Sequence, residues 1–198
     1  MPGPHRVTVL IDYENVHKTA ARRFLALGAD RGTSGHVYPH KVGELLTQRR
    51  PFDSVLHEVR VYRGQPNPHR QPVSAKANNR QTADWESHGV TVVRRNLVYP
   101  SDWPDQPANE KGIDVALAVD AVRLAIQHKT DVVIIFSHDK DLLPAVETVM
   151  DLPDCHVEVA AWNQCNRLRL AATHRPWCHY LDADDFETVR DHYDYTLD

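Results

Sequence analysis

The chain has 198 residues, 41% of them hydrophobic, which is enough for a core of ordinary size and, at this length, makes one domain the default expectation. Its formal net charge of −4 gives no whole-molecule attraction for a polyanion, so any nucleic-acid contact has to come from local patches. Three cysteines, Cys155, Cys165 and Cys178, without C-x-x-C spacing, speak against a disulfide framework and a zinc knuckle and point to a reducing compartment.

The amino-terminal MPGPHRVTVLIDYEN runs from prolines into a short apolar strand ending on acids, unlike a signal peptide. No apolar stretch approaches the about 18 residues of a membrane span. The expectation is a cytoplasmic protein without a membrane partner. Charge is unevenly spread: residues 60–95 hold seven Lys/Arg against two acids, whereas residues 151–198 hold ten acids against four arginines. The basic run is a candidate patch for phosphates, and the acidic end reads as a solvated extension from about residue 182 of a single domain spanning 1–198.

Val7–Ile11 is a β-rich apolar run closing on Asp12, the pattern of a strand buried on both faces in a parallel sheet. Asn15 is a candidate N-cap for a helix through Lys18 to Leu27, followed by a loop over Gly28–Gly35 and a helix over Lys41–Gln48. Val55–Arg63 alternates in the period of a strand, Val73–Ser87 reads as a polar helix, and Gly89–Val93 as a third strand ahead of a long loop marked by Pro100, Pro104 and Pro107. Ile113–Gln127 is apolar at helical length. Strand Asp131–Phe136, helix Leu142–Val149, strand Val157–Ala161, helix Asn163–Ala172 and a short strand Trp177–Leu181 complete the chain. Strands alternating with helices predict a parallel sheet covered on both faces, with ligands outside the carboxyl ends of its strands.

The acids fall at that edge. Asp12 ends the first strand, Asp139 and Asp141 follow the strand ending at Phe136, and Asp114 opens the apolar helix. Gathering carboxylates is costly unless a cation neutralises them, and an oxygen-only set favours a hard ion such as Mg²⁺ or Mn²⁺. Such a site suits phosphodiester hydrolysis. The bland alternatives are helix capping by Asp114 and by one of Asp139 and Asp141, with Pro144 tolerated in the first turn of the next helix. Helical geometry sets Asp120 on a polar stripe with Arg123 and Gln127, away from Asp114.

Three blocks carry a resemblance: Val9-Leu-Ile-Asp12-Tyr-Glu-Asn15, Lys111-Gly-Ile-Asp114 through Asp120, and Val133-Ile-Ile-Phe-Ser137-His-Asp139-Lys-Asp141-Leu-Leu-Pro144. They resemble the signature blocks of NYN domains, within the PIN-like nuclease superfamily. The resemblance implies a Rossmann-like three-layer α/β/α sandwich with a mostly parallel central sheet. It further implies Mg²⁺- or Mn²⁺-dependent endoribonuclease chemistry, with Asp12, Asp114, Asp139 and Asp141 as metal-binding and catalytic acids, Asn15 as a supporting polar residue and Ser137 as a donor behind them. Asp120 is commonly acidic in the family's pattern. The sequence departs at His138, where many members have Gly, and at Leu142, where they often have Phe; His138 either crowds the site or helps hold a phosphate.

Around the expected cleft, Lys111, Arg94 and Arg95 are candidates for phosphate contacts alongside Ser137 and His138. Tyr99 and Trp103 could stack bases, though the commoner role of such rings is to pin a loop. His36 and His40 have i, i+4 spacing, but Gly35 and Pro39 break a shared helix, so no histidine metal site is expected. No Gly-rich phosphate loop and no G-x-S-x-G elbow is present, and Glu14 stands where a dehalogenase-like phosphatase wants Asp. RNA is the expected substrate and DNA stays open, since metal-assisted cleavage does not need a 2′-hydroxyl. A non-catalytic RNA-binding or regulatory domain is the alternative of a different class, and a homodimer or a regulatory protein partner stays open.

Overall fold

The computed structural model describes residues 3–25, 35–165, 168 and 175–197. Six strands form one sheet: β1 (His5–Asp12), β2 (Ser54–Gln65), β3 (Thr91–Asn96), β4 (Val132–Phe136), β5 (His156–Trp162) and β6 (Trp177–Leu181), in the order β3-β2-β1-β4-β5-β6 with every neighbour pair parallel. β1 and β4 are the apolar runs legible in the sequence. Flanked on both sides, they bury both faces, which is why neither alternates.

Helices cover both faces. On one side lie α1 (Tyr13–Phe24), α2 (Pro39–Gln48), α3 (Pro72–Ser87) and α6 (Ala183–Val189), sharing a core with Val9, Ile11, Val61 and Trp162; on the other lie α4 (Ile113–Ile126) and α5 (Leu143–Met150), packed on Leu10, Tyr62, Val133 and Ile135. The starts of α2, α3 and α5 each hold a proline at N1 or N2, where a missing amide proton costs nothing. Pro144 behaves as expected. The N-cap of α1 is Asp12 rather than Asn15, because the strand runs directly into the helix and leaves the Asp12 carboxylate over the first amides. The expected end of that helix at Leu27, the loop from Gly28, and the part of the expected Asn163–Ala172 helix beyond Cys165 lie outside the described residues, apart from Leu168.

The acidic end is not a solvated extension. Asp182 and Asp185 form a reciprocal capping box that starts α6, and Phe186 and Val189 enter the core, where Phe186 and Phe136 both meet Trp162 edge-on. Arg49 bonds Asp185 at 2.5 Å, and the Tyr38 amide donates to the Val189 carbonyl at 2.8 Å. The acids of this segment are its caps and ion pairs, while its apolar residues face inward.

The basic run 60–95 does not form one surface either. Strand alternation sends Arg60 to Glu58 and Asp120 beneath α4, and Arg63 to the opposite face. Arg70 lies over the rings of Tyr99 and Trp103, which pin the proline-rich loop rather than waiting for bases. The Tyr99 hydroxyl also accepts the Asn67 amide and donates to Gln71. Cys155, Cys165 and Cys178 form no disulfide. Among the described residues no helix is long and apolar enough to cross a membrane.

Candidate active site

The chain order reverses between β1 and β4. The sheet grows outward through β2 and β3 on one side and through β5 and β6 on the other, leaving a crevice beyond the carboxyl ends of β1 and β4. Asp12 stands at the end of β1, and Ser137 is the first residue after β4.

Asp12 is only 3% exposed. Its Oδ2 accepts the Ser137 hydroxyl at 2.7 Å and its Oδ1 the Asn15 amide at 3.5 Å. Burial pushes this carboxyl up to about 7; the charges of Asp114 and Glu110 push the same way, and the Ser137 and Asn15 bonds only partly offset them. Asp114 sits in the first turn of α4, but it is not the cap. That position is Gly112, whose φ of 74° suits glycine, so the Asp114 carboxyl is left half-buried facing Asp139 and Asp141. Burial first, and then those two charges, raise it. Asp139 does cap the short 3₁₀ turn Lys140–Leu142, accepting the Asp141 amide at 3.0 Å, while Asp141 itself is exposed. Among the described residues none of the four acids forms an ion pair with Lys or Arg.

Two further acids join them that sequence reasoning missed. Glu110 accepts the Gly64 amide and is pushed up to about 7 by burial and by Glu14, with the Gly64 bond and Arg63 pulling down. Glu14 itself is held down at about 2: burial raises it, but hydrogen bonds and charge from His17 and Lys18 outweigh that. Glu110 stands immediately before the Lys111-Gly-Ile-Asp114 block, and that adjacency was the only signal in the sequence. Asp120 is not in the crevice. It lies under α4, accepting Tyr62 at 2.9 Å, Arg60 at 3.2 Å and Arg123 at 2.6 Å, so the expected pairing with Arg123 holds but the side chain is mostly buried.

The expected substrate contacts divide. Ser137 is fully buried between Asp12 and the Asp139 amide, so it positions acids and touches no substrate. His138 neither crowds the acids nor offers itself to a phosphate. The Trp162 amide donates to its Nε2 at 3.1 Å, which leaves the proton on Nδ1 to donate to Asn15 Oδ1 at 2.8 Å; burial, with the charge of Arg22, lowers its pKa to about 4. Asn15 in turn also accepts the His138 amide at 3.0 Å. Arg94 turns toward α3 and donates to Asn79 at 2.7 Å, whereas Arg95 lies against Gly112 at the start of α4, and Lys111 is exposed beside it.

Among the described residues the acids of the crevice offer only oxygens, and Asp12 and Asp114 form no ion pair with Lys or Arg, a set that fits a hard dication chemically. As they stand, among the described residues no three His, Cys, Asp or Glu side chains close on one point that would hold a metal.

The NYN domain family model matches residues 6–175, the span that contains every one of these acids. The chain belongs to the NYN domain family. A crystal structure of a protein of unknown function from Vibrio parahaemolyticus is similar to this NYN chain at a TM-score of 0.57 and 17% identity, over 84% of this chain and 86% of that one, which speaks for the shared fold alone. No curated protein matches the chain.

Proposed function

We propose that this NYN domain is a divalent-metal-dependent endoribonuclease. The observation that carries the reading is the crevice at the switch point: Asp12 is raised by burial and the charge of Asp114, and Asp114 by burial and the charges of Asp139 and Asp141, and among the described residues none of the four has a Lys or Arg ion pair to relieve it. A folded chain retains such repulsion where something outside it supplies the counter-charge.

Asp12, Asp114, Asp139 and Asp141 would hold Mg²⁺ or Mn²⁺, which lowers the pKa of a bound water and neutralises charge on phosphoryl oxygens. The chain's own residues do the rest. Ser137 and the Asn15 amide fix the Asp12 carboxylate; Arg95 and Lys111, at the start of α4, meet backbone phosphates. Glu110, held near 7, is suited to take a proton from an attacking water at neutral pH.

The test is incubation of a labelled single-stranded RNA and a structured RNA with the purified protein in Mn²⁺, Mg²⁺ or EDTA. Metal-dependent cleavage that Asp139→Asn abolishes supports the reading. RNA binding without cleavage, indifferent to EDTA and to Asp139→Asn, would assign the domain to non-catalytic RNA binding.

A further inference from the structure

Beside the acids, between α1, the end of β2 and α3, lies a cavity of about 580 Å³, within the roughly 300–1,000 Å³ of small-molecule sites. Glu14 and Glu110 stand on its wall, so it opens next to the crevice. Its chemistry is unlike that of the crevice. Arg63 reaches it over the packed rings of Tyr13 and Trp85, 5.1 and 4.9 Å from their centres, and donates one bond, to Gln81 at 2.7 Å. It forms no ion pair with any described carboxylate, and its strand partner in β3 is another arginine, Arg94. The charges of Glu14 and Glu110 stand near it, but among the described residues no carboxylate caps its planar fork, whose geometry matches phosphate oxygens.

Two more groups on the same wall lack partners. Asn78 and His17 are each 5% exposed, and among the described residues Asn78 Oδ1 and His17 Nδ1 meet no hydrogen-bonding atom. The other end of each is committed: Asn78 Nδ2 donates to the Gly64 carbonyl at 3.0 Å, and His17 Nε2 lies 2.9 Å from Glu14 Oε2. Asn78 Oδ1 is an acceptor, whereas His17 Nδ1 accepts in the neutral imidazole and donates in the charged one. The cavity thus combines the cations Arg63 and Lys18 with a buried acceptor, Asn78 Oδ1, that wants an O–H or N–H donor, and a buried imidazole nitrogen, His17 Nδ1.

We propose that this cavity is a ribonucleotide subsite, in which Arg63 binds a phosphate of a single-stranded RNA and the acceptor Asn78 Oδ1 takes a hydroxyl or amino proton of the same nucleotide. A ribose 2′-hydroxyl is the donor that DNA lacks, so the subsite also selects RNA. The inference rests on the reading of the crevice as an RNA-cleaving site only for the direction of the strand, which passes from the acids into the cavity.

The test is binding in EDTA, where no turnover intervenes. A labelled ten-nucleotide RNA, the DNA of the same sequence and adenosine monophosphate are titrated against wild type, Arg63→Gln and Ala77→Tyr. Ala77 is a half-buried position on the cavity wall, so tyrosine there fills the space while leaving Arg63 and its ring contacts in place. The expected result is RNA binding about tenfold or more tighter than DNA, weakened about tenfold or more by both substitutions. RNA affinity unchanged in Ala77→Tyr overturns the subsite, and if Asp139→Asn still abolishes cleavage the nuclease reading survives that failure. Loss of binding in both variants, in a protein that cuts no RNA, upholds the subsite and removes the nuclease reading. Binding of adenosine monophosphate with neither oligonucleotide bound would give the cavity to a free nucleotide and overturn the strand assignment.

Discussion

The Ser137 hydroxyl donates to Asp12 Oδ2 at 2.7 Å and accepts the Asp139 amide at 3.1 Å, so one buried side chain fixes the end of β1 against the first residues beyond β4. Ser137→Ala removes both bonds and leaves the Asp12 carboxylate without its strongest donor. The expected cost is about 1–3 kcal/mol of stability, read by denaturant unfolding, with RNA cleavage reduced more than RNA binding. Equal loss of binding and cleavage would argue that Ser137 supports the fold alone.

Asp12 carries the clearest pH signature. Its carboxyl lies at about 7 in the folded protein against an unfolded value near 3.8, so the folded state holds the proton more tightly. Its contribution to stability is therefore fully present below about pH 4 and lost as pH rises through about 7. Asp12→Asn removes that loss. The variant is expected to be more stable than wild type at pH 8 without metal, by an amount on the order of 3 kcal/mol, with the gap closing toward pH 4. Adding Mn²⁺ should stabilise wild type and leave Asp12→Asn unmoved in a melting experiment.

These acids were legible in the sequence because β1 and β4 are buried on both faces and announce themselves as unbroken apolar runs. Once those two strands are parallel neighbours, Asp12 and Asp139 must emerge at one edge. What was not legible depends on contacts between distant segments. Ala183–Val189 carries three acids in seven residues and looks solvated until Phe186 meets Trp162. His138 resembles a site residue until the β5 amide of Trp162 occupies its Nε2. Arg63 looks like one more charge of a basic run, and only the alternation of β2 shows that it leaves Arg60 behind and joins Tyr13 and Trp85.

His138 gives a second, opposite pH dependence. Its pKa falls to about 4 on folding, so the folded state holds the proton less tightly and the stability it supplies, present above about 6.5, is lost as pH falls through about 4. His138→Ala should lower the melting temperature at pH 7 and flatten its decline between those pH values. The pH profile of cleavage should keep its shape, since His138 touches no reacting group; a lost limb in that profile would show otherwise.

Gly64 allows Glu110 to approach the strand. A Cβ there would stand 2.8 Å from Glu110 Oε1 and 2.9 Å from its Cγ, and closer still to Leu97 Cδ2, all nearer than van der Waals contact allows. Gly64→Ala is expected to push Glu110 off the Gly64 amide and to cost about 1–3 kcal/mol by overpacking. If Glu110 takes the proton in the reaction, the neutral-pH limb of the cleavage profile shifts or disappears in this variant. A profile identical to wild type would remove Glu110 from the site.

The chemical identity of the cut ends tests the central claim most directly. Water attacking a phosphodiester with the help of a metal leaves a 5′-phosphate and a 3′-hydroxyl or the reverse pair, with no cyclic ester, and does not use the 2′-hydroxyl as nucleophile. The products made by wild type in Mn²⁺ would be resolved by mass spectrometry next to those of Asp139→Asn and of wild type in EDTA. The expected result is linear phosphate ends in Mn²⁺ alone and no products in the other two. A 2′,3′-cyclic phosphate formed equally well in EDTA would show that the carboxylates of β1, α4 and the β4 edge do not cleave RNA through a bound cation.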